Sequence, residues 1–333
     1  MLHEAQLPGF GMITDQFRAD MTELSESADG VWQVGKEGVR YILTPKDRKV
    51  DFVVFENKTV AYVKSLMGHP AMYELREPHY KTPIRALLMD LDGTSVRSEE
   101  FWMYTIEQTV VRLLGNKSFR LEKVDEPHVS GHSVSEHLQY CINKYCPDKT
   151  VEEARKHYFD IVRFELDEIM HGRGRVDAFK PVPGLKDFLL EVKSRGIKIG
   201  LVTSGLYEKA WPEILSAFRT LKMGDPLDFY DAVISAGYAL KKGQVGTLGE
   251  LAPKPHPWLY AETARVGLGM SPEERSFVVG IEDSGAGVVS VRLAGFACVG
   301  IGGGNIVSSG TQALCSQYCA TLTDVLPHLL GNE

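Results

Sequence analysis

The hydrophobic and polar positions change their period along the chain, and each change marks a different kind of element. Between residues 30 and 66, short runs rich in β-branched and aromatic side chains (VWQVG, VRYILT, DFVVFE, TVAYVKSL) are separated by the turn-prone or charged segments KEG, PKDRK and ENK, a pattern that predicts a small antiparallel sheet. Residues 68–83 (GHPAMYELREPHYKTP) hold three prolines and no clean period, which predicts a linker. The apolar run Ile84–Met89 then ends in Asp-Leu-Asp-Gly-Thr, as expected of a buried parallel strand that delivers residues to its carboxyl edge. From about residue 98 to 171 apolar positions recur at helical spacing, most clearly in TVEEARKHYFDIVRFELDEIMH, so this stretch is predicted to be a helical insertion. Beyond it, predicted helices (GLKDFLLEVKSRG, YEKAWPEILSAF, PWLYAETARVGLG, AGVVSVRLAG) alternate with predicted strands (IKIGLVTS, DAVISAG, SFVVGIED, ACVGIGG). That alternation predicts an α/β fold with a doubly wound parallel sheet.

The length of 333 residues suggests two or three units, given roughly 100 to 200 residues per domain. The expected boundaries are a β-rich extension and linker over 1–80, a catalytic core from 81–97 and 181–333, and a helical cap over 98–180. Hydrophobic residues at 44% and charged residues at 24% leave enough apolar side chains for a sizeable core and argue against long disorder. A net charge of −7 supplies no global attraction to nucleic acid or an anionic membrane, so neither is an expected partner and an anionic substrate must be attracted locally. The start of the chain lacks a basic segment followed by an apolar run, and no stretch reaches the ~18 apolar residues of a membrane span. A cytoplasmic enzyme is the expectation. The five cysteines lie without a histidine at zinc-ligand spacing and read as reduced thiols.

In an open parallel sheet, ligands bind beyond the carboxyl ends of the strands, so residues just after strands are the first candidates for chemistry. Asp90 and Asp92 are two apart on a strand end and point the same way, with Gly93 allowing a sharp turn. One carboxylate can attack phosphorus while the other acts as acid and then base. The same residues also fit an ordinary Asp-Gly turn. Thr203 and Ser204 offer hydroxyl and main-chain donors to phosphate oxygens, or form a routine turn. Glu282 and Asp283 offer the hard oxygens that suit Mg²⁺, or serve as acidic caps beside the N-cap candidate Ser284. Lys254, stiffened by prolines, could neutralise a phosphate, or be a solvated surface charge. Gly302-Gly303-Gly304 lacks the spacing of a nucleotide loop and reads as a turn.

It is the conjunction of these segments, in this order and after apolar strands, that points to phosphoryl chemistry. In Asp90-Leu91-Asp92-Gly93-Thr94, Leu201-Val202-Thr203-Ser204, Lys254-Pro255-His256-Pro257 and Gly280-Ile281-Glu282-Asp283-Ser284, the chain strongly resembles the haloacid dehalogenase superfamily, from about residue 84 to 330. The resemblance implies a Rossmann-like core with an inserted helical cap, similar to the beta-phosphoglucomutase and phosphoglycolate phosphatase branch. It implies Asp90 as nucleophile and metal ligand, and Asp92 as general acid and base that also gives its main-chain carbonyl to Mg²⁺. Asp283 and Glu282 would complete the metal site, with Thr203 and Lys254 on the transferring phosphate. Thr94, Ser204 and Gly205 would line the substrate site, joined from the cap by Arg97, His132 and Ser133.

The implied activity is hydrolysis of a small phosphorylated metabolite. The rival activity is that of a sugar phosphate phosphomutase, and the reading from another class is a regulatory binding protein that keeps the fold and recruits a partner through residues 1–80. Members of the mutase branch carry a histidine and an arginine where this chain has Trp102 and Val134, and Arg97 stands where an aspartate is common. The segment 237–253, with Lys241 and Lys242, is longer than in relatives and is expected to form an exposed loop or hairpin. The core from residue 84 onward is expected to keep its chemistry when excised, with reduced stability or altered specificity.

Overall fold

A short ladder between β1 (Gln6–Leu7) and β2 (Gly11–Met12) leads into helix α1 (Asp15–Asp20). The helix starts where the Thr14 hydroxyl accepts the Phe17 N–H at 3.1 Å, a side-chain cap for an otherwise orphaned donor. The structure is a computed structural model and describes residues 3–64, 70–128, 134–205, 207–235, 238–239 and 253–331. Five antiparallel strands follow in chain order: β3 (Met21–Leu24), β4 (Tyr41–Pro45), β5 (Val50–Val54), β6 (Thr59–Val63) and β7 (Ala71–Leu75). This is the expected β-rich N-terminal unit, with two differences in its strands. The run VWQVG forms only an isolated bridge, Gln33 with Glu26, and the first strand is Met-Thr-Glu-Leu directly after α1. The proline-rich stretch contributes β7, because Pro70 and Pro78 flank the ladder without interrupting it. Along β7, Ala71, Tyr73 and Leu75 are at least partly buried while Met72 and Glu74 are exposed, the period of two that a half-buried strand requires.

The second sheet has seven strands, in the spatial order Tyr238–Ala239, Ala232–Ser235, Lys198–Val202, Ala86–Asp90, Val278–Glu282, Ala297–Ile301 and Gln317–Cys319. Its centre is β8 (Ala86–Asp90), five residues buried on both faces. Between β8 and the next sheet strand come the two-residue ladder of β9 (Val96–Arg97) with β10 (Lys180–Pro181) and the helices α2 (Glu99–Leu114), α3 (Val134–Tyr145) and α4 (Val151–Met170). This is the predicted helical cap. Its own core gathers Ile106, Val110, Leu138, Ile142 and Tyr158, and α4 opens on a reciprocal capping box between Thr150 and Glu153.

The sheet then resumes through α5 (Leu185–Ser194), β11 (Lys198–Val202), α6 (Tyr207–Leu221), α7 (Pro226–Phe229), β12 (Ala232–Ser235) and β13 (Tyr238–Ala239). It finishes with α8 (Trp258–Glu262), β14 (Val278–Glu282), α9 (Gly285–Leu293), β15 (Ala297–Ile301) and β16 (Gln317–Cys319). All pairings are parallel except that of β13 with β12. Most of the long segment 237–253, Lys241 and Lys242 included, lies outside the described residues. Among the described residues no helix is long and apolar enough to cross a membrane.

The chain separates into two compact units: Met1–Ser95, Val182–Ala210 and Gly224–Glu333 form one, Val96–Pro181 and Trp211–Met223 the other. Within the larger unit the N-terminal sheet and the parallel sheet share one hydrophobic cluster, in which Leu7, Phe17, Phe52 and Leu75 join Val289, Leu293 and Phe296. Buried Arg292 of α9 ties the same seam. Its guanidinium donates to the carbonyls of Leu314 at 2.9 Å, Gly9 at 2.9 Å and Arg76 at 2.8 Å.

Candidate active site

Three neighbouring strands end at the same level. The register pairs Val202 with Asp90 and Ile281 with Met89, so Asp90, Thr203 and Glu282 meet at the carboxyl edge, where a parallel sheet leaves room for a ligand. The Leu91 N–H donates to the Val202 carbonyl at 3.2 Å and the Thr203 N–H to the Ile234 carbonyl at 3.0 Å, which carries the ladder one residue past the strands. The Ser95 hydroxyl binds the Asp90 carbonyl at 2.6 Å.

Lys254 reaches into this edge from the proline-rich loop before α8. Its ammonium donates to the Asp90 carboxylate and to Glu282 Oε1, the latter at 2.6 Å. Glu282, fully buried, also accepts the Tyr260 hydroxyl on Oε1, and on Oε2 the Ser284 N–H at 3.2 Å and the Ser284 hydroxyl at 3.0 Å. Burial, reinforced by Glu282, pushes the Asp90 carboxyl well above the ordinary carboxylate range, against the pull of Lys254. Burial alone would lower the Lys254 ammonium, but the Asp90 and Glu282 carboxylates outweigh it and raise its pKa, so it stays charged. Tyr260 is raised by burial and by Glu282, and remains a proton donor.

Asp283 lies one residue past the strand, nearly buried, and accepts the Thr94 hydroxyl at 3.4 Å. Two glycines make room for it. Gly93 has φ of +81°, and a Cβ there would lie 2.0 Å from Asp283 Oδ2. At Gly304 a Cβ would lie 2.4 Å from the same oxygen. Carboxylate oxygens of Asp90, Glu282 and Asp283 lie within 4.8 Å of one another. Three acidic groups against one ammonium, all offering hard oxygens, fit a small divalent cation such as Mg²⁺.

The residues singled out from sequence are therefore not all brought together. Asp90, Lys254, Glu282 and Asp283 come together with Thr94 beside them. Thr203 is buried and accepts the Gly205 N–H at 2.9 Å, which leaves its hydroxyl proton for another partner, and the Ser204 hydroxyl accepts the Lys254 N–H at 3.3 Å. Asp92 is partly exposed, 3.5 Å from the Lys209 ammonium. Arg97 belongs to the smaller unit, where it is exposed and pairs in register with Lys180. His132 and Ser133 lie outside the described residues. Tyr260 and Lys209 carry no signal in the sequence; Gly304 reads there as a turn, and Ser284 as the helix cap that it forms by accepting the Gly287 N–H at 3.1 Å.

A parallel α/β sheet with carboxylates and a lysine gathered at its carboxyl edge, and a helical cap inserted after the first strand, defines a capped α/β enzyme. A model of haloacid dehalogenase-like hydrolases matches residues 84–295, and the chain belongs to that family as a hydrolase. It is 31% identical over 120 residues to a glyceraldehyde 3-phosphate phosphatase from Methanopyrus kandleri, covering 34% of this chain and 43% of that enzyme. The match thus spans less than half of that relative's length. It is also 26% identical over 233 residues to the beta-phosphoglucomutase of Bacillus subtilis, covering 66% of this chain and 84% of the relative. In fold it is similar to a predicted phosphoglycolate phosphatase from Haemophilus somnus, with a TM-score of 0.54, 17% identity, and coverage of 74% of this chain and 98% of that one.

Proposed function

We propose that the protein is a magnesium-dependent phosphatase of small phosphomonoester metabolites that works through a phospho-aspartate on Asp90. The observation that carries this reading is the buried contact of Lys254 with Asp90 and Glu282 at the carboxyl edge of the central strand. A carboxylate oxygen of Asp90 attacks phosphorus, and the bond from phosphorus to the ester oxygen breaks. Asp92 gives its proton to the departing oxygen. It then takes a proton from water, which attacks the phosphorus of the acyl phosphate, releasing inorganic phosphate and restoring Asp90. The Thr203 hydroxyl and the Lys254 ammonium hold the phosphoryl oxygens and offset their charge. Asp90, Asp283, Glu282 and the Asp92 main chain would hold Mg²⁺, whose positive charge favours a dianionic phosphate beside several carboxylates.

A panel of p-nitrophenyl phosphate, glyceraldehyde 3-phosphate, phosphoglycolate and a hexose 1-phosphate tests the reading. Turnover with Mg²⁺ that disappears in EDTA and in Asp90→Asn is the expected result, and no turnover of any ester would sink it. A mutase reading draws on the beta-phosphoglucomutase match. Against it, Val134 packs on the cap core and Trp102 stacks edge-on against Phe101 at 4.9 Å; neither supplies the polar group a mutase uses at those places. Free inorganic phosphate from the hexose 1-phosphate supports the hydrolase, and an isomeric sugar phosphate the mutase.

A further inference from the structure

The N-terminal sheet touches the loop that carries Lys254. The Tyr73 hydroxyl of β7 lies 2.9 Å from His256 Nδ1, and the two rings meet edge-on at 5.9 Å. The Trp258 ring also meets the Tyr73 ring edge-on, with centroids 6.4 Å apart. Burial lowers the His256 pKa and so favours the neutral ring beside the Tyr73 hydroxyl.

Within the loop Pro253, Lys254, Pro255, His256 and Pro257, it is the His256 side chain that bonds to the N-terminal sheet. Its N–H donates to the Pro253 carbonyl at 3.1 Å, and its carbonyl accepts the Ser290 hydroxyl of α9 at 2.5 Å. Three prolines with φ restrained near about −65° leave the loop few soft torsions. A displacement of His256 is therefore passed to Lys254, two residues away.

We propose that Tyr73 is a positioning residue for Lys254, acting through His256, so that the N-terminal sheet forms part of the working catalytic centre; the inference rests on the phosphatase reading above. Tyr73→Phe keeps the ring and removes the hydroxyl. With p-nitrophenyl phosphate and Mg²⁺ it is expected to lower kcat roughly tenfold with KM little changed, the signature of a displaced catalytic group. A second readout needs no turnover: the rate at which trinitrobenzenesulfonate modifies Lys254 in metal-free protein, followed by peptide mass spectrometry. That rate should rise severalfold in Tyr73→Phe, and His256→Ala should reproduce the rise. Met72→Ala, on the exposed face of the same strand, should match wild type in both. Wild-type kcat and labelling in Tyr73→Phe overturn the proposal, as does an equal loss in Met72→Ala. If the wild-type protein turns over no ester, the phosphatase reading fails by itself, and Lys254 labelling alone decides whether Tyr73 positions the lysine.

Discussion

Four donor atoms converge on the Glu282 carboxylate, from Lys254, Tyr260 and the main chain and hydroxyl of Ser284. Charge-assisted bonds of this kind are short and directional, so Glu282 fixes where the Lys254 ammonium can sit. Tyr260→Phe removes one donor from the oxygen that Lys254 shares and leaves the buried ring in place. It should raise the barrier by about 1–2 kcal/mol, a fall in kcat of roughly five- to thirtyfold, with the thermal midpoint lowered by only a few degrees. Steady-state kinetics beside a melting curve checks this, and unchanged kcat would remove Tyr260 from the account. The four charged residues of the centre were legible in the sequence because each ends or directly follows an apolar strand or stands in a proline-stiffened approach, with chemistry visible in the side chain itself. Tyr260 was not. In PWLYAETARVGLG it reads as one more apolar position on a helix face, and only the packing of α8 turns its hydroxyl to Glu282. Gly304 likewise read as a turn glycine, which it is, while its contact with Asp283 depends on β15 lying beside β14.

Among the elements, the cap carries its own electrostatic staple. The buried Asp125 carboxylate accepts the Lys144 ammonium at 2.7 Å, the Tyr140 hydroxyl at 2.7 Å, the Tyr145 hydroxyl and the Glu122 N–H at 2.8 Å. These bonds tie residues 122–125 to α3. Burial would raise the Asp125 pKa, but Lys144 and the two tyrosines outweigh it and hold it at about 2, against an ordinary 3.8. A depressed folded-state pKa stabilises above the unfolded value and is lost as pH falls through the folded one. The contribution should therefore be complete above about pH 4 and vanish towards about pH 2. Asp125→Asn should cost roughly 1–3 kcal/mol at neutral pH and flatten this part of the acid titration, as followed by helical circular dichroism. A variant with the wild-type acid profile would show that the network does not hold the cap. The cap's existence was legible because α4 repeats apolar positions at helical spacing. β7 was hidden by the prolines on either side of it, and β3 by its brevity, four residues continuing straight from a helix. In both, pairing with a neighbouring strand supplies what local pattern does not.

At the scale of the whole molecule, the larger unit depends on a seam between two sheets. Phe17, Phe52, Val54 and Leu75 on one side and Leu293 and Phe296 on the other are each less than a tenth exposed, and burying a side chain of this size contributes about 1.5–3 kcal/mol. A protein of ordinary stability has only about 5–15 kcal/mol in hand, so losing one side of the seam is comparable with the whole. Arg292 sharpens the point. Two of its three carbonyl acceptors, Gly9 and Arg76, belong to the N-terminal stretch, and without them a buried guanidinium faces water or goes unpaired. A chain lacking residues 1–80 is accordingly expected to aggregate or to melt at least ten degrees below the full protein, while the larger unit of the full protein melts in one cooperative transition. Size-exclusion chromatography and calorimetry of both chains test this. A truncated chain that stays monomeric and melts at the full-length midpoint would show that the seam adds nothing. If instead it folds with a lowered midpoint, its kcat separates two roles of the sheet. A kcat equal to that of the full protein confines the sheet to stability, whereas a loss matching Tyr73→Phe locates its effect in the lysine loop.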